Sequence, residues 1–284
     1  MTLINFTKMQ GLGNDFIVLD FEQYQEITLS LEKLAIKLCD RHFGIGADGL
    51  IVINPNNKNA DIGWFFYNMD GSIAQMCGNG IRCFAKYVFE KKLVNKKEFS
   101  VETKAGTIIP KILDNGLIRV NMGLPILDTN KIPVKVENNL NFEIKTLDNK
   151  VFLANAISMG NPHCVIFVDK NTNTKDLAVE YGHFIETHNI FPEKTNVEFV
   201  KIISRDEISI DVWERGCGIT LACGTGACAS VVAGIMNDFL NSSVKVNLPG
   251  GQLFIEWNGK QSDKNHNVYM SGPANFSFTG QINL

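Results

Sequence analysis

One motif occurs twice in this chain, and its repetition constrains the fold more than any other feature. Cys77-Gly78-Asn79-Gly80 and Cys223-Gly224-Thr225-Gly226 share the pattern C-G-x-G, and a helix-compatible apolar stretch follows each, Ile81–Phe89 and Ala227–Met236. The flanks repeat as well. Gly13-Asn14 leads into Phe16-Ile17-Val18-Leu19-Asp20, and Gly160-Asn161 leads into Val165-Ile166-Phe167-Val168-Asp169. Strand-like runs end at Asn68 and at Glu214, each nine positions ahead of its cysteine. Gly106 and Gly251 follow the cysteines at nearly equal distances, and Val120-Asn121-Met122 and Val268-Tyr269-Met270 close each half.

Such a pattern predicts a duplicated unit: two α/β (α+β) domains related by a pseudo-two-fold axis, with a cleft between them. Each should read strand, helix, two strands, a loop with the cysteine, a helix, then a run of strands. Short strands bounded by Gly, Asn or Asp favour a mixed or antiparallel sheet, here wrapped around the helix that follows the cysteine. The expected domains are residues 1–123 with a returning C-terminal strand at 268–284, and residues 124–267. The stretch 138–150 is Asn-rich and reads as a surface hairpin or loop.

Composition narrows the function classes. A chain of 284 residues with a net charge of −3 has no electrostatic footprint for nucleic acid or for an anionic membrane. Lys91, Lys92, Lys96 and Lys97 read as a solvated helix end. No apolar run approaches the roughly 20 residues that span a bilayer, and residues 1–10 lack the sections of a signal peptide. A cytoplasmic protein with reduced thiols is expected. Its seven cysteines are then an odd set without a disulfide framework. Cys39 and Cys164 sit in apolar patterns as core filler, and Cys83 and Cys228 lie inside the helices that start after Cys77 and Cys223.

Cys77 and Cys223 are different. At a helix start, sulfur lies beside backbone N–H groups that have no intrahelical acceptor, and the helix dipole favours an anion. Two outcomes are expected: a lowered thiol pKa and a docking place for a carboxylate. Two such turns facing each other would set one thiol on either side of an α-carbon. One thiolate would then remove the proton from one face while the other thiol donates on the opposite face. Converging N–H groups would stabilise the enolate-like charge on the carboxylate. His163 and Glu214, in loops that the repeat places beside a cysteine, are the candidates for setting thiol protonation.

The chain resembles the diaminopimelate epimerase family along nearly its whole length. The resemblance is carried by Gln10-Gly11-Leu12-Gly13-Asn14-Asp15-Phe16, Asp40-Arg41-His42, Asn68 with Asp70-Gly71-Ser72, both C-G-x-G motifs, and Arg82-Cys83. It continues through Ser158-Met159-Gly160-Asn161-Pro162-His163-Cys164, Asn196, Glu214-Arg215-Gly216 and Leu248-Pro249-Gly250-Gly251. It implies an isomerase that interconverts LL- and meso-diaminopimelate for lysine and peptidoglycan precursors, with no pyridoxal phosphate, other cofactor or metal. Cys77 and Cys223 match the base and acid, and His163 and Glu214 the pair that tunes them. Gly78, Asn79, Gly224 and Thr225 match positions that hold the reacting carboxylate. Asn14, Asn68, Asn161, Asn196, Glu214 and Arg215 match positions that read the substrate, a guanidinium at Arg215 suiting a distal carboxylate. The family also implies a homodimer.

Three departures stand out. Gly49 occupies a place where many relatives have glutamine, so that substrate contact is expected to be missing. Met69 replaces a common alanine, and Cys217 is an extra thiol. Two rival readings remain open to such a chain. A proline or hydroxyproline racemase-like enzyme would use paired cysteines on the same fold, but the asparagines and Arg215 favour a larger, doubly charged substrate. A redox or zinc-binding thiol protein would be expected to carry a C-x-x-C pair, which this chain lacks.

Overall fold

The computed structural model describes residues 2–55, 59–74, 77–260 and 262–284. The chain forms two compact units: Met1–Val120 with Gly272–Leu284, and Asn121–Ser271.

In the first unit, β1 (Leu3–Gly11) and β2 (Asn14–Leu19) form a hairpin. Its two turn residues, Leu12 and Gly13, both have positive φ, 58° and 87°, as tight two-residue hairpins require. Asn14 is thereby set at the head of β2. The chain crosses over through α1 (Phe21–Gln25) and α2 (Leu31–Cys39) to β3 (Gly49–Asn54), parallel to β2. β4 (Ile62–Asn68) returns antiparallel. A second crossover, α3 (Gly78–Glu90), leads to β5 (Val101–Thr103), parallel to β4, and β6 (Gly106–Ile108) folds back on β5. A small hairpin, β7 (Lys111–Ile112) and β8 (Ile118–Asn121), follows.

The second unit repeats the plan. β9 (Phe142–Lys145), from the Asn-rich stretch, hairpins onto β10 (Val151–Ser158). β11 (Pro162–Val168) is antiparallel to β10, and α4 (Thr174–Glu186) carries the chain to a parallel β12 (Asn196–Ser204). β13 (Glu207–Glu214) returns antiparallel, and β14 (Gly218–Ile219) pairs with its end. The second crossover, α5 (Gly224–Met236), leads to β15 (Ser243–Leu248), parallel to β13. β16 (Gly251–Glu256) and β17 (Tyr269–Gly272) continue this sheet antiparallel. β18 (Asn275–Asn283) belongs to the first unit, antiparallel to β1. Both units therefore share one alternation: antiparallel, parallel, antiparallel, parallel, antiparallel. Each parallel step needs a crossover, and in each unit the second crossover helix is the one headed by a C-G-x-G cysteine.

Both faces of each sheet are covered, which explains strands that read as continuous apolar runs. In the first unit α2 packs Leu34 and Leu38 with Ile17, Leu19, Leu50 and Val52. The alternate residues of β2 and β4 turn toward α3, with Trp64 and Phe84 rings 5.4 Å apart and Phe16 and Phe66 5.8 Å apart. In the second unit α4 packs on Cys164, Ile166, Val197 and Phe199. α5 is buried on almost every side, and its Ala227, Cys228, Ala229 and Ala233 are small enough to permit close approach. Cys39, Cys83, Cys164 and Cys228 are all buried. Burial pushes the thiols of Cys39 and Cys83 up to about 12 and that of Cys164 well above its ordinary value, as core filler requires. Lys91 and Lys92 lie exposed at the end of α3, while Lys96 and Lys97 pair with Asp61 and Asp114. No described helix is long and apolar enough to cross a membrane.

Candidate active site

Each C-G-x-G cysteine is the N-cap of its helix. Cys77 has extended φ/ψ and its Sγ accepts from Gly80 N at 3.4 Å; Cys223 Sγ accepts from Gly226 N at 3.4 Å in the same way. A thiol thus does what Ser or Asp does at an ordinary helix start. This local device is common to both units; the surroundings are not.

In the first unit the neighbours are amides. Cys77 Sγ donates to Asn14 Oδ1 at 3.5 Å, and Asn79 Nδ2 donates to the same oxygen at 3.3 Å. Asn14 can face this way because its own Nδ2 donates to Asp48 Oδ2 at 2.7 Å. Asp48 and Asp15 are bridged by Arg41, and Lys8 pairs with Asp15 at 2.8 Å. Beneath the helix start Arg82, fully buried, donates to Asn79 Oδ1 at 2.8 Å, Gly78 O at 3.1 Å and Pro273 O at 3.1 Å. Asn68 ends β4, and its Nδ2 donates to Ser72 Oγ. Arg82 is a support whose motif was quoted without a role, and Asp48 is one to which sequence reading assigned none.

In the second unit the neighbours are ionisable. Cys223 is 5% exposed, with Thr225 Oγ1 at 3.5 Å. His163 on β11 is buried; its Nδ1 lies 2.7 Å from Glu198 Oε1 and its Nε2 3.1 Å from Asn161 Oδ1. Glu214, half-buried at the end of β13, accepts from Thr220 Oγ1 at 2.5 Å. Asn196 donates to Pro162 O and accepts from the Arg215 N–H at 2.9 Å, and Arg215 Nη1 donates to Glu193 O. The turn 214–218 is itself clamped by the buried Glu186, which accepts from Trp213 Nε1 and Gly216 N. Cys217 is exposed on that turn.

The expected fall in thiol pKa does not hold at Cys223. Burial comes first among the causes, and the charges of Glu214 and Glu198 add to it, so its thiol is pushed well above its ordinary value. The Thr225 hydroxyl and the Gly226 N–H pull the other way and lose. The resting group at Cys223 is a thiol. The residue missed at sequence level is Glu198. Its signal was a lone charge inside the apolar run Val197-Glu198-Phe199-Val200.

Gly49 also changes meaning. A Cβ there would stand 2.7 Å from Phe66 Cε2 and 2.9 Å from Tyr67 O, so the site admits no side chain without displacement. Its glycine is a packing requirement of the β3–β4 pair.

His163, Glu198 and Cys223 bring ligand-type atoms within 4.8 Å of one another, the one metal-compatible cluster among the described residues. Two donors on one tetrahedral zinc, each about 2.0 Å from it, sit roughly 3.3 Å apart. The 2.7 Å from Nδ1 to Oε1 is instead hydrogen-bond spacing. What these parts can do together is hold a proton next to a thiol.

A family model described as diaminopimelate epimerase matches residues 6–127 and 155–277. A diaminopimelate epimerase of Carboxydothermus hydrogenoformans is 51% identical over 283 residues, covering 99% of this chain and 100% of that one. A second, of Halothermothrix orenii, is 49% identical over 288 residues, with 98% of each chain covered. The chain belongs to the diaminopimelate epimerase family. As a member of it, it is an isomerase. Solved structures agree on the fold. A phenazine biosynthesis protein of the PhzF family from Bacillus anthracis aligns over 100% of both chains with TM-score 0.70 at 13% identity. A probable proline racemase from Agrobacterium radiobacter gives 0.68 at 14% identity, covering 99% of this chain and 93% of its own. At such identities the likeness shows architecture alone, shared by the diaminopimelate epimerase family and its racemase-like rivals.

Proposed function

We propose that this protein interconverts LL- and meso-diaminopimelate by proton transfer at one α-carbon, with Cys77 and Cys223 as the two proton-transfer groups. The observation that supports it most is the duplicated N-cap: a thiol beside first-turn N–H groups at the head of the second crossover helix in both units. Inversion by two groups requires one on each face of the stereocentre, and each unit supplies one. With Cys223 resting as a thiol, Cys77 is the base when Cys223 is the acid; the reverse direction exchanges them. His163 and Glu214 set the protonation of the second thiol. The substrate carboxylate docks on the N–H groups of Gly78, Asn79, Gly224 and Thr225, where helix dipole and hydrogen bonds stabilise the developing enolate. Asn14, Asn68, Asn161, Asn196 and Arg215 read the remaining amino and carboxylate groups. The chemistry needs reduced thiols, which fits a cytoplasmic enzyme, and we take the working form to be a homodimer.

The test is turnover of LL-diaminopimelate, proline and hydroxyproline by the purified protein, followed by chiral chromatography. Epimerisation of the first alone supports the proposal. Turnover of proline without diaminopimelate overturns it in favour of the racemase-like reading.

A further inference from the structure

Strand alternation explains why a carboxylate lies buried beneath the start of α5. Val197 and Phe199 turn into the core with α4, so Asn196 and Glu198 turn to the opposite face of β12. β11 runs parallel beside it with His163 opposite Asn196 and Val165 opposite Glu198. The His163 and Glu198 side chains are both 0% exposed and meet at 2.7 Å.

Counting protons constrains their state. Asn161 Oδ1 only accepts, so His163 Nε2, 3.1 Å away, carries a hydrogen. One further proton lies between Nδ1 and Glu198 Oε1. Wherever it sits on that line, the pair has zero net charge. The other arrangement, a carboxylate against a neutral Nδ1–H imidazole, would aim a bare Nε2 at the Asn161 oxygen and bury a net negative charge. Glu198 Oε2 adds an independent sign: among the described residues it is buried with no hydrogen-bond partner. A bare carboxylate oxygen there would be strongly disfavoured, whereas the carbonyl oxygen of a neutral acid is tolerated far better. Burial raises the Glu198 carboxyl, His163 opposes that, and Glu214 reinforces it.

Gly226 records the same requirement. A Cβ at 226 would lie 2.6 Å from Glu198 Oε1 and 3.3 Å from Cys223 Sγ. At the matching Gly80 a Cβ would meet only ordinary contacts at 3.5 Å and beyond. The last glycine of the second C-G-x-G motif makes room for a carboxyl that the first unit does not have.

We propose that Glu198 is a positioning residue of the Cys223 half-site. Its carboxyl holds one proton against His163 Nδ1, fixes the ring with Nε2–H toward Asn161, and keeps the buried cluster neutral beside the thiol. This rests on the reading of Cys223 as a proton-transfer group.

The experiment combines kinetics with ¹⁵N-imidazole NMR of the full chain. Glu198→Gln preserves shape and a hydrogen bond to Nδ1 but cannot ionise. Its expected kcat for diaminopimelate falls on the order of 10²-fold with KM held within about twofold. Its pH–kcat profile, set in the parent by Cys223, His163, Glu214 and Glu198 together, should shift. A folded Glu198→Gln protein with parental kcat and pH profile overturns the proposal. If that variant does not fold, Gly226→Ala keeps the carboxyl and displaces it; unchanged kcat there overturns the proposal too. In the parent protein, His163 should show a protonated Nε2 at neutral pH, and a bare Nε2 with protonated Nδ1 contradicts it. The NMR readout does not depend on the substrate. An inactive parent would count against the functional reading, while the tautomer still decides the role of Glu198.

Discussion

The two cysteine half-sites share a scaffold and differ in chemistry. Both are N-caps of a second crossover helix, with a sulfur 3.4 Å from the N–H three residues on. Cys77 donates to the Asn14 amide oxygen, which also accepts from Asn79, and the thiol is half-buried. Around Cys223 the neighbours are Glu214, Glu198 and His163, and the thiol is buried. Duplication explains the shared part. A helix start does not by itself decide a thiol: at Cys223 burial and nearby carboxylates outweigh the favourable N–H.

The largest test of the pairing is removal of either thiol. Cys77→Ala and Cys223→Ala should each lower kcat by about 10³-fold or more, since a missing proton-transfer group has no substitute in either half. Substantial activity in either variant would make the halves unequal partners and break the comparison.

Thiol reactivity sharpens it. With a haloacetamide at pH 8 and peptide mapping to separate the exposed Cys217, Cys77 should be labelled at least about tenfold faster than Cys223. Labelling of Cys223 should still climb above pH 9, where an ordinary thiol levels off. The sign follows from its raised folded pKa: stability from burying the neutral thiol is present below the unfolded value and is lost as pH rises toward the folded one. Equal labelling rates would contradict the difference in environment.

A side chain at Gly49 probes the first half alone. Gly49→Gln should destabilise by about 1–3 kcal/mol in denaturant unfolding, because Phe66 and the Tyr67 carbonyl occupy the space. A gain in substrate affinity without destabilisation would return the position to substrate reading.

The smallest effect concerns the ion cluster behind Asn14. Burial raises the Asp15 carboxyl, but Arg41 and Lys8 overcome it and hold it below its ordinary value. Its stabilisation is therefore present above the unfolded value near 3.8 and lost as pH falls through the lower folded one. Asp15→Asn should lose roughly 1–2 kcal/mol at neutral pH, a discounted figure because Arg41 is half in water. The difference from the parent should shrink in acid.

Much of this was legible because backbone demands repeat visibly. The Gly-Asn pairs lead into β2 and β11, and the C-G-x-G motifs mark helix starts, both visible as repeated punctuation in the sequence. Asn14, Asn79 and Cys77 meet at the head of α3. What stayed hidden depends on distance across the sheet. Glu198 looked like one charge in an apolar strand, and only the parallel register beside β11 brings it to His163. Gly49 looked like a lost glutamine contact, because the ring of Phe66 that fills its place lies on the neighbouring strand. The lowered thiol at Cys223 was wrongly expected because a helix start is visible in sequence while full burial and two carboxylates are not.

The most direct test of two-group inversion is the epimerisation of LL-diaminopimelate in D₂O, stopped at low conversion. Two different proton-transfer groups predict meso product carrying solvent deuterium at the inverted α-carbon, with recovered LL substrate still unlabelled. Product that retains the original hydrogen, or substrate labelled as fast as product, would show one group acting on both faces and contradict the roles given to Cys77 and Cys223.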